Sequence, residues 1–187
     1  MLQLSSQSIR RYDILRQFDI PFIVINNRLK NEPSYQGGAI KTYVRWLSKQ
    51  KGCAAVSKTN DWILTADTIV VLKDRILGKP TSHTHATQML RSLSGKRHSV
   101  ITGICLTHPQ TGQQFSRTKT TSILFSKLTQ DDIDNYIDKN MPLDKAGGYG
   151  IQDVPTHFIT HRSGCYYNVM GLPIHLLLRL CRDYDIL

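Results

Sequence analysis

The run WILTADTIVVL, residues 62–72, sets a carboxylate, Asp67, between Ile63-Leu64 and Ile69-Val70-Val71. An ionised carboxylate among apolar neighbours requires cations, hydrogen-bond donors or a metal. A structural ion pair meets that requirement, and so does a bound metal. Four short stretches share one character, small residues or glycines beside a strand end with a cation or carboxylate among them: SSQSIRR, ADT itself, GKP and KAGGYGIQ. Ser6, Ser8 and the amides of a helix start can meet phosphate oxygens, while Arg10 or Arg11 supplies a planar donor fork. The same serines serve equally as ordinary helix caps.

The remaining candidates divide in the same way. Lys51 ends an apolar stripe, from which a lysine either snorkels to solvent or reaches a ligand. Lys79 lies between a glycine and a proline, a pairing that aims a side chain and also makes a plain turn. Glu32, in the polar segment NNRLKNEPSYQGG, is a second carboxylate for Asp67 or an exposed loop acid. Thr68 suits a strand without further role. Gly147, Gly148 and Gly150 permit a turn or the close approach of a ligand to backbone, after which Gln152 can read a base edge or a sugar.

The elements that must position these residues follow from pattern. Residues 2–5 predict a short strand, Ser8 then caps a helix through IRRYDILRQF, and FIVI follows as a second strand. Ile40, Val44, Leu47 and Lys51 recur at helical spacing. The strand around Asp67 turns at KDR into ILGKP, and SHTHATQMLRSLSG predicts a helix ending at Gly95. Two longer strands fall near 98–107 and 114–126. TQDDIDNYIDK predicts a helix capped by Thr129, its acids placed where the helix dipole favours them. A strand near 157–161 and a last helix opened by Pro173 complete the chain. Strands with helices between them indicate an α/β or α+β sheet with helices on its faces.

Composition narrows the classes of function. The 187 residues allow one substantial core. Lys and Arg number 24 against 14 Asp and Glu, a net charge of +10, so the expected partner is anionic. The cations are scattered, which favours discrete sites over a polybasic tail. No apolar run approaches the roughly 20 residues of a membrane-spanning helix. Cys53, Cys105, Cys165 and Cys181 form no C-x-x-C pair and nothing reads as a signal peptide, so reduced thiols in a cytoplasmic protein are expected. His83-x-His85 and His157-x-x-x-His161 lack the patterns of metal sites and read as exposed or locally hydrogen-bonded.

The stretches SSQSIRR, LSKQKG, ADTIVVL with ILGKP, QMLRSLSGKRHSVITG, PLDKAGGYGIQ and YYNVMGLP follow one another as in the Maf family of nucleoside triphosphate pyrophosphatases, which the chain resembles over nearly its whole length. The resemblance implies one Maf-like domain spanning residues 1–187, with a mixed, twisted sheet, flanking helices and a central cleft, related to inosine triphosphate pyrophosphatases. It implies hydrolysis of a nucleoside triphosphate to the monophosphate and pyrophosphate with Mg²⁺ or Mn²⁺. Asp67 matches the family's general base and, with Glu32, its metal site. Ser6, Arg10, Lys51, Thr68, Lys79 and Gln152 match substrate-binding positions.

Arg10, Thr68 and Gln152 together resemble the dTTP and UTP type rather than the branch similar to 7-methyl-GTP pyrophosphatases. Three positions depart from the family pattern: Ser5 and Gly52 stand where alanines are usual, and Ile9 where proline is usual. A homodimer is compatible with the reading. A basic nucleic-acid-binding or division-regulating protein is the rival from another class; the chain shows no helix-turn-helix, zinc-finger or aromatic RNA-binding signature.

Overall fold

The computed structural model describes residues 1–29 and 32–187. Strand β1 (Leu2–Leu4) leads to α1 (Ile9–Gln17), β2 (Phe22–Val24) and α2 (Ile40–Cys53). Then come β3 (Ile63–Leu72), β4 (Arg75–Leu77), α3 (His83–Leu93), β5 (Arg97–Thr107), β6 (Gln114–Phe125) and α4 (Gln130–Asn140). Strand β7 (Ile159–Ser163), α5 (Tyr166–Met170) and α6 (Ile174–Asp183) end the chain. The sheet has seven strands in the order β2-β1-β3-β5-β6-β7, with β4 paired to β3. β1 runs parallel to β2 and β3, whereas β3–β4 and β6–β7 are antiparallel. The sheet is therefore mixed, as the resemblance implies.

The chain divides into two compact units, one of residues 1–67, 102–119 and 171–187 and one of residues 68–101 and 120–170. In the first, α2 lies close to β5: a Cβ added to Gly103 would come within 2.7 Å of the Val44 carbonyl oxygen. Its buried residues include Leu2, Leu4, Ile14, Leu15, Val44, Leu47, Ile63 and Leu64. In the second, α3 and α4 enclose an apolar cluster that includes Val70, Leu90, Phe125, Tyr136, Tyr149 and Phe158.

Local chemistry accounts for most element boundaries. Lys73 and Asp74 have φ of 45° and 52°, the pair of positive values that a tight two-residue hairpin needs. Thr129 accepts from the Asp132 amide while the Asp132 carboxylate accepts from the Thr129 amide, a full capping box. Ser8 stands at the start of α1 but makes no capping bond; its own amide instead donates to Ser6 Oγ at 3.2 Å. The strand expected near 157–161 begins at Ile159, because a short 3₁₀ turn after Pro155 occupies Thr156–Phe158. α5, five residues long, had no distinct pattern. No described helix is long and apolar enough to cross a membrane.

Candidate active site

Asp67 is reached through the register of α2 against β3. Thr65 and Asp67 are two residues apart on β3 and share a face, and Ser48 and Lys51 are three apart on α2 and share a side. Thr65 Oγ1 donates to the Ser48 carbonyl at 2.7 Å, and one step further Lys51 Nζ donates to Asp67 Oδ1 at 2.5 Å. About 6.8 Å of strand thus matches about 4.5 Å of helix closely enough for a long lysine to close the gap. The stripe that placed Lys51 beside apolar residues is what turns it inward.

The second carboxylate arrives from the loop after β2. Asn27 Nδ2 donates to the Lys51 carbonyl at 2.8 Å and to Ser5 Oγ at 3.0 Å, and Asn27 Oδ1 accepts the Leu29 amide. Further on, Tyr43 Oη donates to the Pro33 carbonyl at 2.8 Å. Glu32 Oε1 lies 2.8 Å from Lys51 Nζ. The side chains of Asp67, Lys51 and Glu32 are 10%, 17% and 51% exposed. The trio therefore runs from a buried carboxylate through a shared cation to a wet carboxylate.

Arg11 stands beside Arg10 as a possible donor fork in the sequence, and the resemblance names Arg10 alone. Arg11 Nη1 donates to Ser6 Oγ and its Nε to the Gly171 carbonyl, both at 2.9 Å. Burial pulls its guanidinium below the usual range, and the charges of Asp67 and Glu32 oppose that pull. Tyr43 feels the same two carboxylates: burial first, then Asp67 and Glu32, push its phenol upward. Ser6 serves this corner twice, its hydroxyl meeting Arg11 and its carbonyl accepting Tyr12 Oη at 2.5 Å. Arg10, the next residue back, also adds its charge to the field at Arg11.

Thr68, Lys79 and Gln152 belong to the second unit. Thr68 is partly buried on β3, and Lys79 and Gln152 are exposed. The glycine-rich loop beside Gln152 is fixed by backbone: the Gly147 amide donates to the Gly78 carbonyl at 2.9 Å, joining the loop to the residue before Lys79. Gly147 has φ of 71°, and a Cβ there would meet Val70 Cγ2 at 2.9 Å, so this glycine answers both to conformation and to space. At Gly52, one of the departures from the family pattern, a Cβ would meet Thr107 Oγ1 at 2.2 Å. The space an alanine methyl would need is filled here by a threonine.

The donor set at Asp67 suits a hard divalent cation. Glu32 and Asp67 each set a carboxylate oxygen within 2.8 Å of the Lys51 ammonium, and Mg²⁺ is commonly held by one or two carboxylates with substrate phosphates and water completing its shell. Among the described residues no group of three or more His, Cys, Asp or Glu side chains is disposed to hold an ion unaided. Three of the histidines are engaged elsewhere: His83 with Asp138 at 2.8 Å, His157 with Asp132 at 3.0 Å, and His85 with Thr81.

Residues 1–184 match the family described as Maf-like protein, and the chain belongs to that family. A relative from Desulforamulus reducens, named dTTP/UTP pyrophosphatase, is 39% identical over 186 residues, covering 98% of this chain and 96% of its own. A relative of the same name from Pectobacterium atrosepticum is 43% identical over 175 residues, covering 92% of this chain and 87% of its own. Among solved structures, a HAM1 protein from Coxiella burnetii shows 12% identity over 68% of this chain and 73% of that one, with a TM-score of 0.44.

Proposed function

We propose that the protein hydrolyses dTTP and UTP to the monophosphate and pyrophosphate, acting as a single Maf-like domain in the cytoplasm. One observation carries the reading: a buried carboxylate on β3, Asp67, bonded to Lys51, which also holds Glu32, in a chain whose relatives carry that activity in their names. The pattern Arg10, Thr68, Gln152 supports the choice of dTTP and UTP over 7-methyl-GTP.

In the proposed reaction the triphosphate draws Lys51 toward its own oxygens, and Asp67 Oδ1 is released to accept a proton from water. The water oxygen bonds to the α-phosphorus as the bond from that phosphorus to the bridging oxygen breaks. The proton resides on Asp67 and the electron pair leaves with pyrophosphate. Lys51 and Arg11 offset charge developing on the phosphates, where fixed electrostatics contributes most. Lys79 and Ser6 bind phosphate oxygens, and Arg10, Thr68 and Gln152 select the base and sugar. Glu32 and Asp67 would hold Mg²⁺ or Mn²⁺, which supplies Lewis-acid polarisation of the phosphates.

Hydrolysis of dTTP in ¹⁸O-labelled water tests the bond that breaks. The label is expected in dTMP, with unlabelled pyrophosphate. Label in inorganic phosphate, with dTDP as the other product, would overturn attack at the α-phosphorus.

A further inference from the structure

Gln152 sits in a turn whose geometry is set two residues earlier. The amides of Asp153 and Val154 both donate to the Gly150 carbonyl, at 3.0 and 3.2 Å, so the position of Gly150 fixes the turn that displays Gln152. Gly150 is itself held from inside the second unit: its amide donates to Tyr136 Oη at 3.0 Å in a buried bond. The residue before it, Tyr149, has its hydroxyl 2.7 Å from His98 Nε2. Tyr136, Tyr149 and His98 are 2%, 5% and 3% exposed. Lys145 closes the turn from the other side, its ammonium 3.5 Å from the Asp153 carboxylate.

Packing alone does not require these hydroxyls. Phenylalanine would fill the same space among Phe125, Phe158 and Ile137; what it would lose at 136 is the acceptor of the buried Gly150 amide, a group costly to bury unpaired. Each of the two phenols has a partner: Tyr136 holds the Gly150 amide and His98 holds the Tyr149 hydroxyl, so the two bonds fix consecutive residues shortly before Gln152. An amide offers a donor and an acceptor in either orientation, so its polarity alone separates bases poorly. Reach separates them better, because a purine extends further than a pyrimidine. Discrimination by reach requires that the glutamine backbone be held still.

We infer that Tyr136 and Tyr149, with His98 behind Tyr149, are positioning residues for base selection, holding Gly150 so that Gln152 stands at the distance of a pyrimidine edge. The inference rests on Gln152 being a base-reading residue. Loss of the Tyr136 hydroxyl lets the turn shift, and the longer base is then admitted while chemistry on the triphosphate continues.

The test compares kcat/KM for dTTP and GTP in wild type, Tyr136→Phe, Tyr149→Phe, Gln152→Ala and the Tyr136→Phe/Gln152→Ala double variant, with melting temperatures alongside. Gln152→Ala is expected to collapse the dTTP-to-GTP ratio. Either phenylalanine variant is expected to lower it about tenfold, the factor carried by one hydrogen bond, through KM. Adding Tyr136→Phe to Gln152→Ala should change the ratio no further. A merely structural role would lower kcat for both substrates together and leave the ratio intact, and that result overturns the inference while Gln152 keeps its role. A ratio unaffected by Gln152→Ala would instead overturn the role of Gln152, and the inference with it. Tyr149→Phe decides the matter should Tyr136→Phe fail to fold.

Discussion

Lys51 Nζ lies 2.5 Å from Asp67 Oδ1 and 2.8 Å from Glu32 Oε1, so one ammonium joins a buried carboxylate to an exposed one. The ammonium stabilises the fold and also holds the proposed base in check until phosphate oxygens compete for it. Lys51→Met keeps much of the stem and removes the charge. It is expected to destabilise the protein by about 2–3 kcal/mol, below the full cost of breaking a buried pair because Lys51 and Asp67 both keep some contact with water. It should also lower turnover about a hundredfold or more. Urea unfolding and steady-state pyrophosphate release check the two effects; unchanged turnover would remove Lys51 from the chemistry.

Arg11 makes two bonds from different nitrogens of one guanidinium, to Ser6 Oγ and the Gly171 carbonyl, a geometry that an ammonium cannot copy. Arg11→Lys keeps the charge and loses the fork. The expected result is a loss of about 1–2 kcal/mol of stability and a fall of about tenfold in kcat/KM for dTTP. Wild-type kinetics in this variant would mean that Arg11 only braces the loop.

Ile9 is the first residue of α1 and is 72% exposed, a position that suits proline because the first helical amides have no partner within the helix. Ile9→Pro is expected to stabilise the protein by about 0.4–1 kcal/mol by restricting the unfolded chain. Chemical denaturation at fixed pH checks it; a loss of stability would show that the turn around Ser6 has a shape proline does not fit.

His98 is buried, and burial lowers its pKa from 6.5 to about 4. The unfolded chain then binds the proton first, so stability is full above pH 6.5 and declines as pH falls toward 4. The decline from this one group is on the order of 3 kcal/mol. Unfolding free energies at pH 7 and pH 4.5 in wild type and His98→Asn should show a smaller difference in the variant. Equal differences would assign the acid sensitivity to other groups.

The sequence carried the elements whose signals are local. The stripe from Ile40 to Lys51 became α2, Thr129 caps α4, and the KDR turn joins β3 to β4, because spacing, capping and turn chemistry act over a few residues. Asp67 was legible as a carboxylate in need of partners, and within the first unit Lys51 is that partner, shared with Glu32. Arg11 could not be separated from Arg10, since adjacent cations at a helix start look alike until the helix fixes which one turns toward Ser6 and Asp67. Asn27 was missed: its bonds to Ser5 and Lys51 span 22 and 24 residues, and a loop asparagine gives no local sign of such reach. The hydroxyls of Tyr136 and Tyr149 were likewise hidden, because tyrosine on an apolar face reads as core.

The central claim, that Asp67 takes the proton from attacking water, is tested most directly by comparing wild type with Asp67→Asn in metal-dependent release of pyrophosphate from dTTP and UTP. Asparagine keeps the shape and an acceptor for Lys51, so circular dichroism and melting should remain near wild type. Turnover is expected to fall by about a thousandfold, within the range of general-base contributions. A folded Asp67→Asn protein that turns over dTTP at the wild-type rate would contradict the account.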